Sequence, residues 1–146
     1  MRLFMYVLKA IADVYRYCVA SRLAGHKLRS LAEPCNGDIE CLVKLALHFT
    51  YKYPLLPPLS IRPAQVFEEI LELAMMVYEL RPRRVLEIGT ANGGTLFLWC
   101  RLATDDATII SIDMPGGPFG GGYPRWKIPL YKSFTKQGQS LYLIRG

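Results

Sequence analysis

The sequence predicts an α/β fold in which about three parallel strands follow a set of N-terminal helices. Short apolar, β-branched runs at 84–88, 108–112 and 140–144 alternate with helical stretches. The first run opens directly into a turn containing Gly89, Gly93 and Gly94, and a helical pattern starts at Thr95. Before residue 81 the chain instead reads as helices punctuated by proline and glycine. Alternating strand and helix implies parallel pairing with right-handed crossovers.

From the N-terminus, one long helix is predicted to about Leu31, with a break at Gly25. Lys9, Asp13 and Arg16 interrupt its apolar run, so a signal peptide or membrane span does not fit, and the helix is expected to pack on the domain. Pro34, Asn36 and Gly37 end it, and Asp38 caps a second helix through about Tyr51. Residues 1–53 thus form a helical segment, and Pro54, Pro57 and Pro58 make 54–60 a stiff linker. A third helix is expected from Pro63 to Leu80. It turns Val66, Ile70, Ala74 and Val77 inward and Glu68, Glu69, Glu72 and Glu79 largely outward. Pro82 marks its end. Strand 84–88, helix 93–103, strand 108–112, a glycine-rich loop over 115–123, a helix over about 124–135 and strand 140–144 complete the order.

At 146 residues and 51% hydrophobic content the chain suits one α/β domain with a helical extension. Cys18, Cys35, Cys41 and Cys100 show no C-x-x-C pairing and no histidine at metal-ligand spacing, which predicts reduced, buried thiols in a cytoplasmic protein and no metal site. The net charge of +6 is uneven, +1 over residues 1–80 and +5 over 81–146. Arg125, Lys127, Lys132 and Lys136 alternate there with Tyr123, Trp126, Tyr131 and Phe134. Such interleaving can bind nucleic acid. The favoured reading is an amphipathic helix with Trp126, Ile128, Leu130 and Phe134 inward and its lysines in water.

Residues 85–94 read V-L-E-I-G-T-A-N-G-G. A dinucleotide fingerprint needs G-x-G-x-x-G, which fits only if Ala91 takes the second glycine's place. Pyrophosphate is anionic, and Glu87 would repel it. A cofactor carrying an ammonium, a sulfonium and no phosphate would instead gain from that carboxylate. Asp113 ends the second strand, about 20 residues past the glycine turn, where an acid can accept from ribose hydroxyls. The spacing Glu87-x-Gly89-x-x-x-Gly93 resembles the first motif of the class I S-adenosylmethionine-dependent methyltransferases. The segment P-G-G-P-F-G-G-G-Y, with Arg125-Trp126 and Pro129-Leu130-Tyr131, is similar to the subgroup related to cephalosporin-hydroxylase-type proteins.

The resemblance covers residues 61–146 and implies a Rossmann-like domain that binds S-adenosyl-L-methionine. Glu87 would face the methionyl part, while Gly89, Thr90, Ala91 and Gly93 line the loop. Asp113 would hold the ribose, with Met114 beside the adenine. It also implies a small-molecule methyl acceptor. Tyr123 and Asp113 are the only candidate bases near the cleft, and no catalytic residue is assigned. Relatives have about seven strands, so the fold here is incomplete. A truncated product, one half of a split protein, or a reduced binding module would each account for that. An exposed edge on the first strand would invite a partner chain or self-association. The competing functions are an NAD(P)-binding oxidoreductase half-domain and a non-catalytic interaction protein.

Overall fold

Three helices lead into a β-hairpin, a fourth helix, and an alternation of strand and helix. The computed structural model describes residues 2–15, 19–54, 56–114 and 122–146. The helices are α1 (Arg2–Tyr15), α2 (Ser21–Ala32), α3 (Ile39–His48), α4 (Phe67–Leu80), α5 (Gly94–Leu102) and α6 (Ile128–Lys132). The strands are β1 (Thr50–Tyr53), β2 (Leu56–Ser60), β3 (Arg84–Ile88), β4 (Thr108–Asp113) and β5 (Ser140–Arg145). The chain is therefore a mixed α/β protein.

The main sheet has the order β3-β4-β5, and both pairings are parallel. Leu86 stands opposite Ile110 and Ile110 opposite Tyr142; Ile88, Ile112 and Ile144 form the next row. Strand periodicity sends alternate residues to opposite faces. One face, with Val85, Glu87, Ile109, Ser111, Asp113, Leu141 and Leu143, is buried or half-buried under helices. The other carries Leu86, Ile88, Tyr142 and Ile144, all exposed. β3 is an edge strand, as the sequence suggested.

α5 is apolar on nearly every side, with Arg101 near its end reaching out to Asn36, and lies in the middle of the core. Leu96, Phe97, Leu98, Cys100 and Leu102 are all buried. α3 and α4 pack beside it, and α2 packs on α6. A single core cluster runs from Ala20 to Phe134, so α2 and α3 share their apolar interior with the sheet.

Several local expectations need correction. The break expected at Gly25 is absent, since the chain is helical on both sides of that residue. Gly25 is inside α2, where a Cβ would collide with the Ser133 side chain of the α6 turn. Asp38 caps α3 as anticipated, its Oδ1 accepting from the Cys41 N–H at 2.9 Å. That helix stops at His48, however, and Thr50–Tyr53 is a strand. The proline segment is no free linker. Residues 56–60 pair antiparallel with β1, Thr50 opposite Ser60 and Tyr51 opposite Leu59. A two-stranded ribbon is all edge, so Pro57 and Pro58 can sit in it without breaking a central ladder.

α4 begins at Phe67, four residues after Pro63, and leaves Val66 exposed. Ile70 and Ala74 are buried as expected. Its end is a left-handed Arg81 (φ 45°) before Pro82, a stop that removes the next helical N–H. The helix expected over 124–135 shrinks to a 3-10 turn, Arg125–Lys127, and the short α6, which has Pro129 in its first turn.

The expectation of reduced thiols also fails for two cysteines. Cys35 and Cys41 form a disulfide across the turn between α2 and α3, with Cα atoms 5.4 Å apart. Among the described residues, Cys100 is free and buried, and burial pushes its thiol up to about 12. Cys18, and most of the glycine-rich loop at 115–121, lie outside the described residues. No described helix is long and apolar enough to cross a membrane.

Candidate functional site

The glycine turn sits at the carboxyl ends of β3 and β4, where parallel sheets hold their ligands. Gly89 and Gly93 have φ of 91° and 90°, in the left-handed region that glycine tolerates. Ala91, at the position where a dinucleotide motif wants glycine, is also left-handed (φ 45°). A side chain there costs roughly 1–2 kcal/mol. Neighbours hold it in place. The Ala91 N–H donates to Asp113 Oδ2 at 2.8 Å, and its carbonyl accepts from Tyr131 Oη at 2.8 Å. Two further bonds close the turn, Gly89 N–H to the Ile112 carbonyl and Gly93 N–H to the Thr90 carbonyl, both 2.8 Å.

Asp113 gathers the site. Its Oδ1 accepts from the Met114 N–H at 2.8 Å and the Gly122 N–H at 3.1 Å. A carboxylate offers about four lone-pair sites, so these three bonds leave room for one more donor. Met114, beside it, is exposed.

Glu87 does not face solvent at the loop. It is buried on the helix-covered face, where its carboxylate accepts from Thr95 Oγ1 at 2.6 Å and Ser111 Oγ at 2.5 Å. Ser111 has one proton and gives it to Glu87, so Thr90 must donate in the 2.6 Å contact between the Thr90 and Ser111 hydroxyls. Desolvation raises the Glu87 carboxyl above its ordinary range, partly offset by these hydroxyls. The chain Thr90–Ser111–Glu87–Thr95 thus ties the loop, β4, β3 and the first turn of α5 together.

The structure brings Glu87, Gly89, Thr90, Ala91, Gly93, Asp113 and Met114 to one end of the sheet. Tyr123 joins them, buried, with its ring 4.9 Å from Tyr131 and its hydroxyl raised by burial. Among the described residues the Tyr123 Oη and the Arg145 Nε are buried without partners. Arg145 is the register partner of Asp113, and its guanidinium lies 5.6 Å from the Tyr123 ring centroid. Two orphaned polar groups beside a carboxylate with spare capacity suit a hydroxyl-bearing ligand such as a ribose.

Sequence reasoning missed Thr95, Ser111, Tyr131 and Lys127. Ser111 was signalled as a polar residue in the interior of the apolar run T-I-I-S-I. Tyr131 was hidden in an expected amphipathic helix. Its ring would meet a Cβ at Gly93 at 2.6 Å, so the loop glycine is needed for packing as well as for φ. Lys127 was expected in water and is buried. Its Nζ donates to Asn92 Oδ1 at 3.1 Å and the Ser60 carbonyl at 3.4 Å, and desolvation lowers its pKa. Lys136 is engaged too, with Asp105 at 2.7 Å and the Ala103 carbonyl at 2.6 Å. With Tyr123, Tyr131 and Phe134 buried, the basic and aromatic residues do not form one stacking surface.

A cavity of about 870 Å³ lies at the opposite, amino end of the strands, lined by Arg29, Arg81, Arg101 and Lys136 among others. Glu33, Glu79 and Asp105 line it as well and offset most of that charge. Comparison with family models, curated proteins and solved structures gives no match to this chain, so its residues and geometry carry the functional reading.

Proposed function

We propose that the chain is the cofactor-binding module of an S-adenosylmethionine-dependent methyltransferase. One observation carries the reading: Asp113, at the tip of the second parallel strand, grips the Ala91 amide of the glycine turn that ends the first. A carboxylate in that position can accept from ribose hydroxyls while the same turn passes close to the rest of the ligand. Tyr123 Oη and Arg145 Nε add polar groups in search of partners. Glu87 acts from behind the loop. Its buried charge favours a cationic group above the turn and disfavours a pyrophosphate, and its bonds to Thr95 and Ser111 fix the loop's shape.

When bound, the cofactor supplies an electrophilic methyl on a sulfonium, which a substrate nucleophile takes up while the sulfur leaves as a neutral thioether. The chain's part is to bind and orient. Asp113 and the loop amides would fix the adenosyl end, with Met114 beside the base. No general base is assigned, since Tyr123 is buried and its hydroxyl titrates above its normal range.

Titration calorimetry with S-adenosylhomocysteine and with NAD(H) tests the proposal. S-adenosylhomocysteine should bind in preference, and Asp113→Asn should weaken it by roughly 10-fold or more through loss of charged hydrogen bonds. Preference for NAD(H) would instead favour the oxidoreductase half-domain, and binding of neither a non-catalytic interaction protein.

A further inference from the structure

Two apolar surfaces lack a partner among the described residues, and each is of a kind that needs one. The first is the bare face of the main sheet. Parallel sheets are almost always covered on both faces, because their strands are apolar on both. Here Leu86, Ile88, Tyr142 and Ile144 are 62%, 83%, 56% and 46% exposed. In register they flank Ile110 and Ile112, making two rows of three large apolar side chains. Arg84 and Ser140, both exposed, give this face a polar rim at its amino end.

The second surface is α1. Val7, Leu8, Ile11, Val14 and Tyr15 are exposed, at spacings that form one stripe along the helix. α1 meets the remaining chain at its C-terminal end, where Tyr15 Oη donates to Tyr53 Oη at 2.5 Å. An isolated helix of about 12–15 residues is marginal in water, and such helices draw their stability from packing an apolar face. α1 has 14 residues and that face is free.

We propose that α1 of one copy docks on the bare face of the β3-β4-β5 sheet of a second copy, and reciprocally, forming a two-fold dimer. The dimensions match. Fourteen helical residues span about 21 Å, close to the length of the five- and six-residue strands at about 17–20 Å. Three strands place the outer two about 10 Å apart, the diameter of one helix. The layer type matches as well, since a parallel sheet is normally covered by helices. The exposed fractions leave roughly 500 Å² of apolar surface on the sheet and about as much on α1; a reciprocal pair covers each twice, of the order of 1,500–2,000 Å² in total, which is what a specific interface buries. Each copy is both donor and acceptor, so the contact closes on itself and stops at two chains.

Sedimentation and light scattering of the full chain, alone and as variants, test this. Ile11→Lys alters the helix stripe and Ile144→Lys the sheet face. Both positions are exposed in the single chain, so circular dichroism should show each variant folded. The wild type should be a dimer at micromolar concentration, and each variant should self-associate at least 10-fold more weakly. Mixing the two variants restores one intact helix-on-sheet pairing, so the mixture should associate more tightly than either variant alone. A monomeric wild type overturns the proposal, whether or not it adsorbs to anionic vesicles through α1. A dimer that survives Ile11→Lys also overturns it, and would mean that the sheets pack on each other.

Discussion

Gly93 carries two demands at once. Its φ of 90° suits glycine, and the Tyr131 ring occupies the space a Cβ would need. Gly93→Ala is therefore expected to cost roughly 2–3 kcal/mol, from backbone strain together with displacement of a packed ring, seen as a lower denaturant midpoint. Glu87 gives a pH signature. Burial holds its carboxyl above its ordinary value of 4.5. Between that value and the raised one the folded chain keeps a proton that the unfolded chain has released. Its contribution to stability therefore declines as pH rises through that window. Glu87→Gln, which cannot ionise, is expected to flatten the decline in urea midpoints measured from about pH 4 to 8. An unchanged slope would mean that the carboxylate is not desolvated as its surroundings imply.

At the scale of the element, capping and edges decide what forms. α3 begins where Asp38 accepts from the Cys41 amide, and Asp38→Ala is expected to cost about 1 kcal/mol in thermal or chemical unfolding. The strand–turn–helix unit was legible because each part has a local cause. Val85, Leu86 and Ile88 favour a strand, the glycines permit the turn, and Thr95 onward is helix-forming. The hairpin was less legible. Three prolines within five residues signal rigidity, and only pairing with Thr50–Tyr53 makes a strand of Leu56–Ser60, which holds two of them. Lys127 was misplaced for a similar reason. Its burial comes from Asn92 and Ser60, which are distant in sequence.

For the whole molecule, the shared core sets what can be removed. Among the described residues core side chains begin at Ala20 and the apolar stripe of α1 is exposed, so deleting residues 1–14 should change the unfolding free energy of the single chain by less than about 0.5 kcal/mol. Deleting residues 1–49 removes Leu28, Val43, Ala46, Leu47 and Phe49 from the same cluster. Each large core truncation costs about 2–5 kcal/mol, so the shortened chain is expected to lose cooperative unfolding in calorimetry. The candidate site depends on this too, because α2 packs on α6, α6 carries Tyr131, and Tyr131 holds the Ala91 carbonyl.

Read alone, the sequence determined the order of strand, glycine turn and helix, the partner acid Asp113, and the parallel alternation, because periodicity and backbone freedom are local properties. The inward turn of Glu87, the burial of Lys127, the Cys35–Cys41 pairing and the bare apolar face of the sheet were decided only by tertiary structure. Each depends on which surfaces meet. Long-range packing and desolvation settle that, and neither is written in the neighbouring residues.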